Sequence, residues 1–506
     1  MKRKIYVAVV LSVLIILTTG KVFAVISDEE VVSLKKQIAA LTERVNQLEK
    51  TPPKIKEEAA CPAVLSVKAV DKIAEKETVE VLNEYRTEVA ADSGDVLDKL
   101  PGYLPNYITK GLEYHGYFRS GYGINSKGGK MEAFQAPDAL AKYRLGNEQE
   151  TYIETIFLNK NWNPDPEGVT LETQIRMSYK TQQNQSWDLT NEVVLREMFG
   201  RMGHFVKWDP DIKVWAGERF YRLPETEIDD FWFADMSGYG GGFEDINIGI
   251  GKFAIAYIGY SNNDINLSTS NAKLAKNNLH AMFYKVPVPF GEGTFWINGG
   301  YVNGATGTDS AGVNYKNPSV GGVDIGMVHY VPGEFNNNQL GLQFGCGANT
   351  SLSAGADFTS GYDARKSWRL RVTEMYNRQV TKELSLQAVG VYQVTNYGYA
   401  TENMETWASA GIRPIYMLSK HFGVEVEPGM DYINNPRDGY DAFLYKLTAG
   451  IRITPGMIFN SRPAFRIFAT YAKWTDGFVG NQLLGGPAFI ADDNGMNFGI
   501  QCENWW

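Results

Sequence analysis

The feature that most constrains this chain is a period-two alternation in short segments from about residue 113 to the end. Between Leu171 and Lys180, the odd positions hold Leu, Thr, Ile, Met and Tyr, and the even positions hold Glu, Gln, Arg, Ser and Lys. Residues 113–122 and 462–471 alternate similarly, with Phe468 as one apolar exception on a polar face. A period of two is that of a β-strand. Trp 11, Tyr 28, Phe 25 and Gly 51 also suit a large antiparallel β protein.

The N-terminus predicts a secreted chain. Basic Lys2, Arg3 and Lys4 precede an apolar run of 13 residues at 5–17, and Val22-Phe23-Ala24 resembles a cleavage site. We therefore assign residues 1–24 to a signal peptide. No later segment approaches the ~20 apolar residues of a membrane-spanning helix. If the chain lies in a membrane, it crosses as a β-barrel.

In several predicted strands, one face carries charged side chains and the other carries apolar ones. In a secreted chain, this repeated pattern favours a membrane barrel with a water-filled lumen over a soluble sandwich. Residues 113–506 give roughly 22 residues per strand and connection if there are about 18 strands, and 16 would also fit. We predict an all-β fold, a transmembrane antiparallel β-barrel of about 18 strands. The alternating end of the chain, closing on Trp506, is typical of a final barrel strand.

A heptad pattern predicts a short coiled coil at residues 25–52. Its a and d positions are apolar, Ser27 and Glu30 form a capping box, and Pro52-Pro53 ends the helix. The alternative is a single amphipathic helix packed on the barrel. Charge-rich residues 53–112 are predicted to be a periplasmic linker.

Composition excludes several functions. A net charge of −9 argues against nucleic acid, whose phosphates require a basic face. Three distant cysteines indicate neither a disulfide framework nor a CxxC metal site, and we expect no metal and no cofactor. The five histidines are too scattered in the sequence to test for a catalytic triad. The sequence has no G-x-S-x-G or H-E-x-x-H motif, and Gly238–Gly242 lacks the Lys-Ser/Thr of a phosphate loop. The chain is therefore predicted not to be an enzyme.

Several collinear stretches resemble the maltoporin-type, sugar-specific porins of the Gram-negative outer membrane. They are His115–Gly121, Lys142–Tyr152, Trp215–Tyr221, Arg462–Trp474 and the final Trp505-Trp506. The predicted coiled coil is similar to the periplasmic extension of the sucrose-porin branch. The resemblance implies a homotrimer of eighteen-stranded barrels in outer-membrane lipid, with the N-terminal extension in the periplasm. It also implies passive, selective diffusion of mono- and oligosaccharides.

The resemblance also implies a set of pore residues. By position, the aromatic slide corresponds to Tyr117, Tyr152 and Trp505, and Trp187 resembles a loop aromatic lent by a neighbouring subunit. Trp232 lies where the family has a constriction tyrosine. The polar track beside the slide corresponds to Arg119, Arg144, Glu154, Arg196, Glu225 and Asp230. For the aromatics, the alternative is an interfacial girdle or a packed loop; for the charged residues, it is a merely solvated lumen wall.

This chain departs from the family pattern at a few positions. Asn460 replaces a slide tryptophan, Leu223 replaces a track arginine with Arg222 adjacent, and Ala133 and Gln149 replace two loop cysteines. These changes put maltodextrin in doubt as the preferred substrate. The alternative functions are a general porin, an outer-membrane barrel enzyme, and a structural tether to peptidoglycan or a periplasmic partner.

Overall fold

The computed structural model describes residues 111–148, 150–162, 168–181, 192–223, 225–262, 274–303, 305–308, 314–317, 319–333, 336–355, 363–401 and 404–506. The predicted signal peptide, coiled coil and nearly all of the predicted linker lie outside these residues, as does Trp187.

The described residues form twenty strands and two short 3-10 helices, Asp476–Phe478 and Pro487–Phe489. The strands are β1 (Leu112–Asn125), β2 (Thr151–Trp162), β3 (Thr170–Thr181), β4 (Glu192–Gly203), β5 (Lys213–Arg219), β6 (Gly238–Asn247), β7 (Lys252–Asn262), β8 (Leu274–Val288), β9 (Gly291–Val302), β10 (Ala305–Thr308), β11 (Asn314–Asn317), β12 (Val320–Val331), β13 (Asn336–Gly347), β14 (Trp368–Gln379), β15 (Leu384–Asn396), β16 (Met404–Met417), β17 (Phe422–Asn435), β18 (Tyr440–Ile453), β19 (Ala464–Trp474) and β20 (Asn494–Trp505).

Eighteen of these strands form one closed antiparallel barrel, and β10 and β11 form a separate two-stranded ladder. Each barrel strand pairs with its sequence neighbour, and β1 pairs with β20 as well as β2. Closure leaves no strand edge with unpaired backbone groups. The predicted fold class is confirmed, with eighteen strands rather than sixteen.

The barrel reverses the burial pattern of a soluble protein. On β19, Arg466 on the inner face is 4% exposed, whereas Phe465 and Ile467 on the outer face are 51% and 55% exposed. This is the arrangement of a barrel with an apolar outer belt and a polar interior. Trp506 packs on the outer face, with its ring centroid 5.4 Å from that of Tyr114.

Cross-strand ion pairs hold the inner wall together. Glu425 accepts from Arg466 at 2.7 Å and from Arg452 at 3.4 Å, and both carboxylate oxygens are buried. Since a buried charge is costly without a partner, these networks allow a charged lumen to pack densely.

No helix among the residues described is long and apolar enough to span a membrane.

The two ends of the barrel differ in the length of their connections. The end where β1 begins has short turns, such as residues 289–290 between β8 and β9. The opposite end has long loops, including residues 126–150 after β1 and residues 220–237 after β5. Both of these loops fold into the lumen, where they contact distant strands.

Candidate permeation site in the lumen

The loop of residues 220–237 is an inward hairpin fixed to the far wall. Thr226 and Phe231 exchange backbone hydrogen bonds of 3.0 and 3.3 Å across it. The Phe231 ring meets Trp407 of β16 edge-on at 5.3 Å. Arg371 of β14 donates to the Phe233 carbonyl oxygen at 2.8 Å. The loop therefore crosses the lumen and narrows it.

Trp232 lies between two residues that face the wall, and is less buried than both. Phe231 is 7% and Phe233 1% exposed, whereas Trp232 is of intermediate exposure. The Arg222 Cζ atom lies 3.5 Å from the Trp232 ring centroid and 4.1 Å from that of Phe220. Arg222 therefore covers one face of the indole.

The loop of residues 126–150 supplies charge to the same region. The Tyr143 hydroxyl lies 2.8 Å from the Ser409 hydroxyl, which fixes this loop to β16. The adjacent Arg144 backbone N–H donates to the Ile228 carbonyl oxygen at 3.0 Å, which joins the two inward loops. Arg144 is thereby held at the narrow part of the lumen.

Strands β1, β2 and β20 bring aromatic and charged predicted residues together. The Tyr117 and Tyr152 ring centroids are 6.2 Å apart, and the Arg119 Cζ atom lies 4.8 Å from the Tyr152 centroid. The Tyr117 hydroxyl donates to Glu503 at 3.0 Å and accepts from Arg144 at 2.5 Å. Two predicted slide aromatics and two predicted track arginines thus form one cluster.

The polar side continues along β2, β3 and β4. Glu154 accepts from the Tyr152 hydroxyl at 2.6 Å and from Arg176 at 2.7 Å, and Arg176 also pairs with Glu197. A bulge in β4 inserts Arg196 as an extra residue. Arg176 of β3 lies opposite Glu197, and the next β3 residue, Met177, lies opposite Leu195, so no β3 residue lies opposite Arg196. Bulges redirect side chains, and here both Arg196 and Glu197 contact groups inside the barrel.

Trp505 on β20 is the cross-strand partner of Tyr117 and lies beside a lumen cavity of about 320 Å³. The Arg462 Cζ atom lies 3.7 Å from the Trp505 ring centroid. Arg462 and Asn460 line the same cavity, while Phe459 is buried on the other side of the turn. Among the described residues that line this cavity, Trp505 is the aromatic, and Phe459 packs against Ile415 and Met417 instead.

Glu225 and Asp230 form a carboxyl pair on the inward loop. Burial and the hydrogen bond to Asp230 raise the pKa of Glu225. Burial alone would raise the pKa of Asp230 too, but Arg144 and the hydrogen bond from Glu225 outweigh it and lower that pKa. The Glu225 carboxyl therefore keeps its proton to a higher pH than the Asp230 carboxyl does.

Several residues of the cluster were missed from sequence. Glu503 and Arg176 lie on the polar face of their strands, and this alternation could have identified them as lumen residues. Nothing in the local sequence distinguished Arg222 or Arg462 from other loop arginines. A second cavity of about 280 Å³ lies behind the loop, lined by residues that include Arg219, Tyr221 and His280. Among the residues described, no group of His, Cys, Asp or Glu is arranged to hold a metal ion.

Comparisons with known proteins identify the family. Three solved structures are similar over 78% of this chain: OpdQ from Pseudomonas aeruginosa (9% identity, TM-score 0.40, 98% of that chain), OmpF from Salmonella typhi in complex with daunomycin (11%, 0.38, 97%) and in-vitro folded OmpT from Vibrio cholerae in its trimer form (9%, 0.34, 99%). These TM-scores are too low to support a conclusion. The family model described as LamB porin matches residues 112–506, the whole of the described barrel, and the chain therefore belongs to the LamB porin family.

Proposed function

We propose that this outer-membrane channel is selective for saccharides and guides them along an aromatic strip flanked by charged residues. The observation that carries the proposal is the cluster of Tyr117, Tyr152, Arg119, Arg144 and Glu154 on the inner wall. Membership of the LamB porin family supports it.

The chemistry of the cluster suits a sugar. A pyranose has an apolar face of C–H groups and a rim of hydroxyls, so aromatic faces and charged hydrogen-bond partners satisfy the two separately. Arg144 already donates to the Tyr117 hydroxyl, and Glu154 accepts from the Tyr152 hydroxyl. At each position along the strip, a sugar hydroxyl would replace the tyrosine hydroxyl as the hydrogen-bond partner of the arginine or the glutamate. Contacts of similar strength at successive positions let a ligand move on.

Trp232 and Trp505 would extend the strip. Trp505 lies toward the short-turn end and Trp232 on the inward loop, and each has an arginine stacked on its ring. We place the constriction at Trp232, on the inward loop. The carboxyl pair of Glu225 and Asp230, together with Arg196, would complete the polar track.

Single-channel conductance in planar bilayers tests the proposal. Titration with a panel of mono- and oligosaccharides should give saturable block of the ion current, with affinity depending on the sugar. A general porin would conduct without saturable block by any sugar, and that result would refute the proposal. Hydrolysis of a lipid or peptide substrate by the purified protein would instead support the enzyme alternative.

We also propose that the channel is a homotrimer in outer-membrane lipid. Family membership supports this, and Trp187 is the residue we propose to enter a neighbouring pore. Cross-linking or mass measurement in mild detergent should give a trimer, and a stable monomer would refute the assembly.

The N-terminal extension is proposed to lie in the periplasm. β1 begins at the short-turn end, and outer-membrane barrels place their short turns on the periplasmic side. In this scheme residues 1–24 are removed, residues 25–52 form a coiled coil that assists assembly or contacts peptidoglycan, and residues 53–112 link it to the barrel. Protease added outside intact cells should leave the extension uncut.

A further inference from the structure

Three arginines surround one aromatic ring at the start of the inward loop. The Cζ atoms of Arg176, Arg196 and Arg222 lie 5.0, 5.2 and 4.1 Å from the ring centroid of Phe220. They come from β3, from the bulge of β4 and from the loop itself. The Phe220 backbone N–H donates to Glu197 at 2.9 Å, which fixes the ring at the wall. We call these three side chains the Phe220 arginine cluster.

The cluster has an excess of positive charge. Arg176 is neutralised by Glu154 and Glu197. Arg196 and Arg222 make no ion pair within 4 Å to any residue that the structure describes. Elsewhere in the lumen several arginines are paired with carboxylates, as Arg201 is with two glutamates at β3 and β6. Arg369 and Arg371 of β14 instead hydrogen-bond to uncharged groups.

Arg222 is partly removed from water, and its nearest carboxylates act on it only from beyond ion-pair distance. Burial lowers the pKa of its guanidinium, and the nearby Arg176 lowers it further, although Asp235 and Glu154 partly offset both effects. A guanidinium held on aromatic faces and lacking an anion is well suited to accept one, because its planar fork matches carboxylate and phosphate oxygens.

We propose that the Phe220 arginine cluster binds an anionic group carried by the sugar, so that the preferred substrates include acidic saccharides such as sugar phosphates or uronic acids. This inference rests on the proposed saccharide selectivity. Arg176 of the cluster and the Tyr152 hydroxyl both bind Glu154, at 2.7 and 2.6 Å, so the cluster lies next to Tyr152. A pyranose stacked on Tyr152 would therefore have the unpaired guanidinium groups within reach of a charged substituent.

The test is a titration of channel block by glucose, glucose 6-phosphate, glucuronate and inorganic phosphate at fixed ionic strength. One charge-assisted contact with an ionised group is worth about 1.5–3 kcal/mol, so both acidic sugars should bind roughly tenfold or more tightly than glucose. Arg222→Gln and Arg196→Gln should each reduce this ratio. Arg222→Lys should retain part of it, since it keeps the charge but loses the fork.

Arg365→Gln is the control for a general loss of charge. Arg365 is an exposed arginine paired with Asp363, and its removal should leave the ratio unchanged. Heat-resistant oligomer on gels and normal open-channel conductance would show that each variant is folded. Arg196 is on a strand and Arg222 on the loop, so a loop distortion would affect the two variants differently.

The outcomes separate this inference from the proposed function. Equal affinity for glucose and the acidic sugars, with saturable block by both, would overturn the inference and leave saccharide selectivity standing. Block by inorganic phosphate as strong as by glucose 6-phosphate would also overturn it, because the site would then recognise the anion alone. Absence of block by every sugar would overturn both.

Discussion

Replacing Trp232 by alanine tests whether the inward loop forms the constriction. The indole is partly buried between two wall-facing phenylalanines, and Arg222 covers one of its faces at 3.5 Å. Only the other face is free to stack on a sugar. Removing the ring widens the narrowest cross-section and removes that stacking surface, so conductance should rise while sugar affinity falls.

The magnitude follows from the covered face. Full burial of a large side chain is worth about 1.5–3 kcal/mol. A ring with a single free face contributes about half, roughly 0.8–1.5 kcal/mol. At about 1.4 kcal/mol per decade, sugar affinity should fall by roughly four- to tenfold.

The assay is single-channel recording with sugar titration on the wild type, Trp232→Ala and a matched control, Trp208→Ala. Trp208 is 63% exposed in the turn after β4, and its loss should alter neither quantity. Conductance and affinity both unchanged in Trp232→Ala would show that the ring lies outside the permeation path. Increased conductance with unchanged affinity would retain the constriction but refute the stacking role.

Four further perturbations test other parts of the site. Arg144→Ala should weaken sugar binding by roughly tenfold or more, because a charged hydrogen-bond partner worth about 1.5–3 kcal/mol is lost, and it should shift the reversal potential toward cations; no change in either would place Arg144 outside the pore. Arg371→Met removes the hydrogen bond to the Phe233 carbonyl, so current noise from loop motion should increase, and a quiet channel would contradict that anchoring role. Burial raises the pKa of Asp229 from its ordinary value of 3.8 to about 7. The stability that its neutral form gives the loop is therefore full below about pH 4 and is lost as the pH rises to about 7, so current noise should grow over this range in the wild type but not in Asp229→Asn. Deleting residues 25–112 should leave a folded, conducting barrel, since the sheet closes without them, and loss of heat-resistant oligomer in this variant would identify the extension as an assembly element.

The barrel was predictable from sequence because its signal is local. Side chains on a strand alternate every residue, so Arg466 between Phe465 and Ile467 already specifies which face is wet. The length of the alternating region suits sixteen to eighteen strands, and the structure has eighteen in the barrel. Family resemblance then located Tyr117, Tyr152 and their charged neighbours by motif, and the structure brings these residues together on adjoining strands.

The geometry of the narrow region required the tertiary structure, because its contacts join residues far apart in the chain. Arg144 reaches Glu503 at 3.1 Å across 359 positions, and Arg371 holds the Phe233 carbonyl across 138. No local period encodes such a pairing. The two inward loops cross the lumen because strands on the opposite wall supply their hydrogen-bond partners.

The same reason explains the Phe220 arginine cluster. In sequence, Arg222 is simply the residue beside a missing track arginine, and Arg196 occupies an ordinary strand position. The β4 bulge redirects Arg196, and the inward loop brings Arg222 to the same ring. Alternation specified the faces of each strand, but a one-residue register shift and the path of a loop decided which charges meet in the pore.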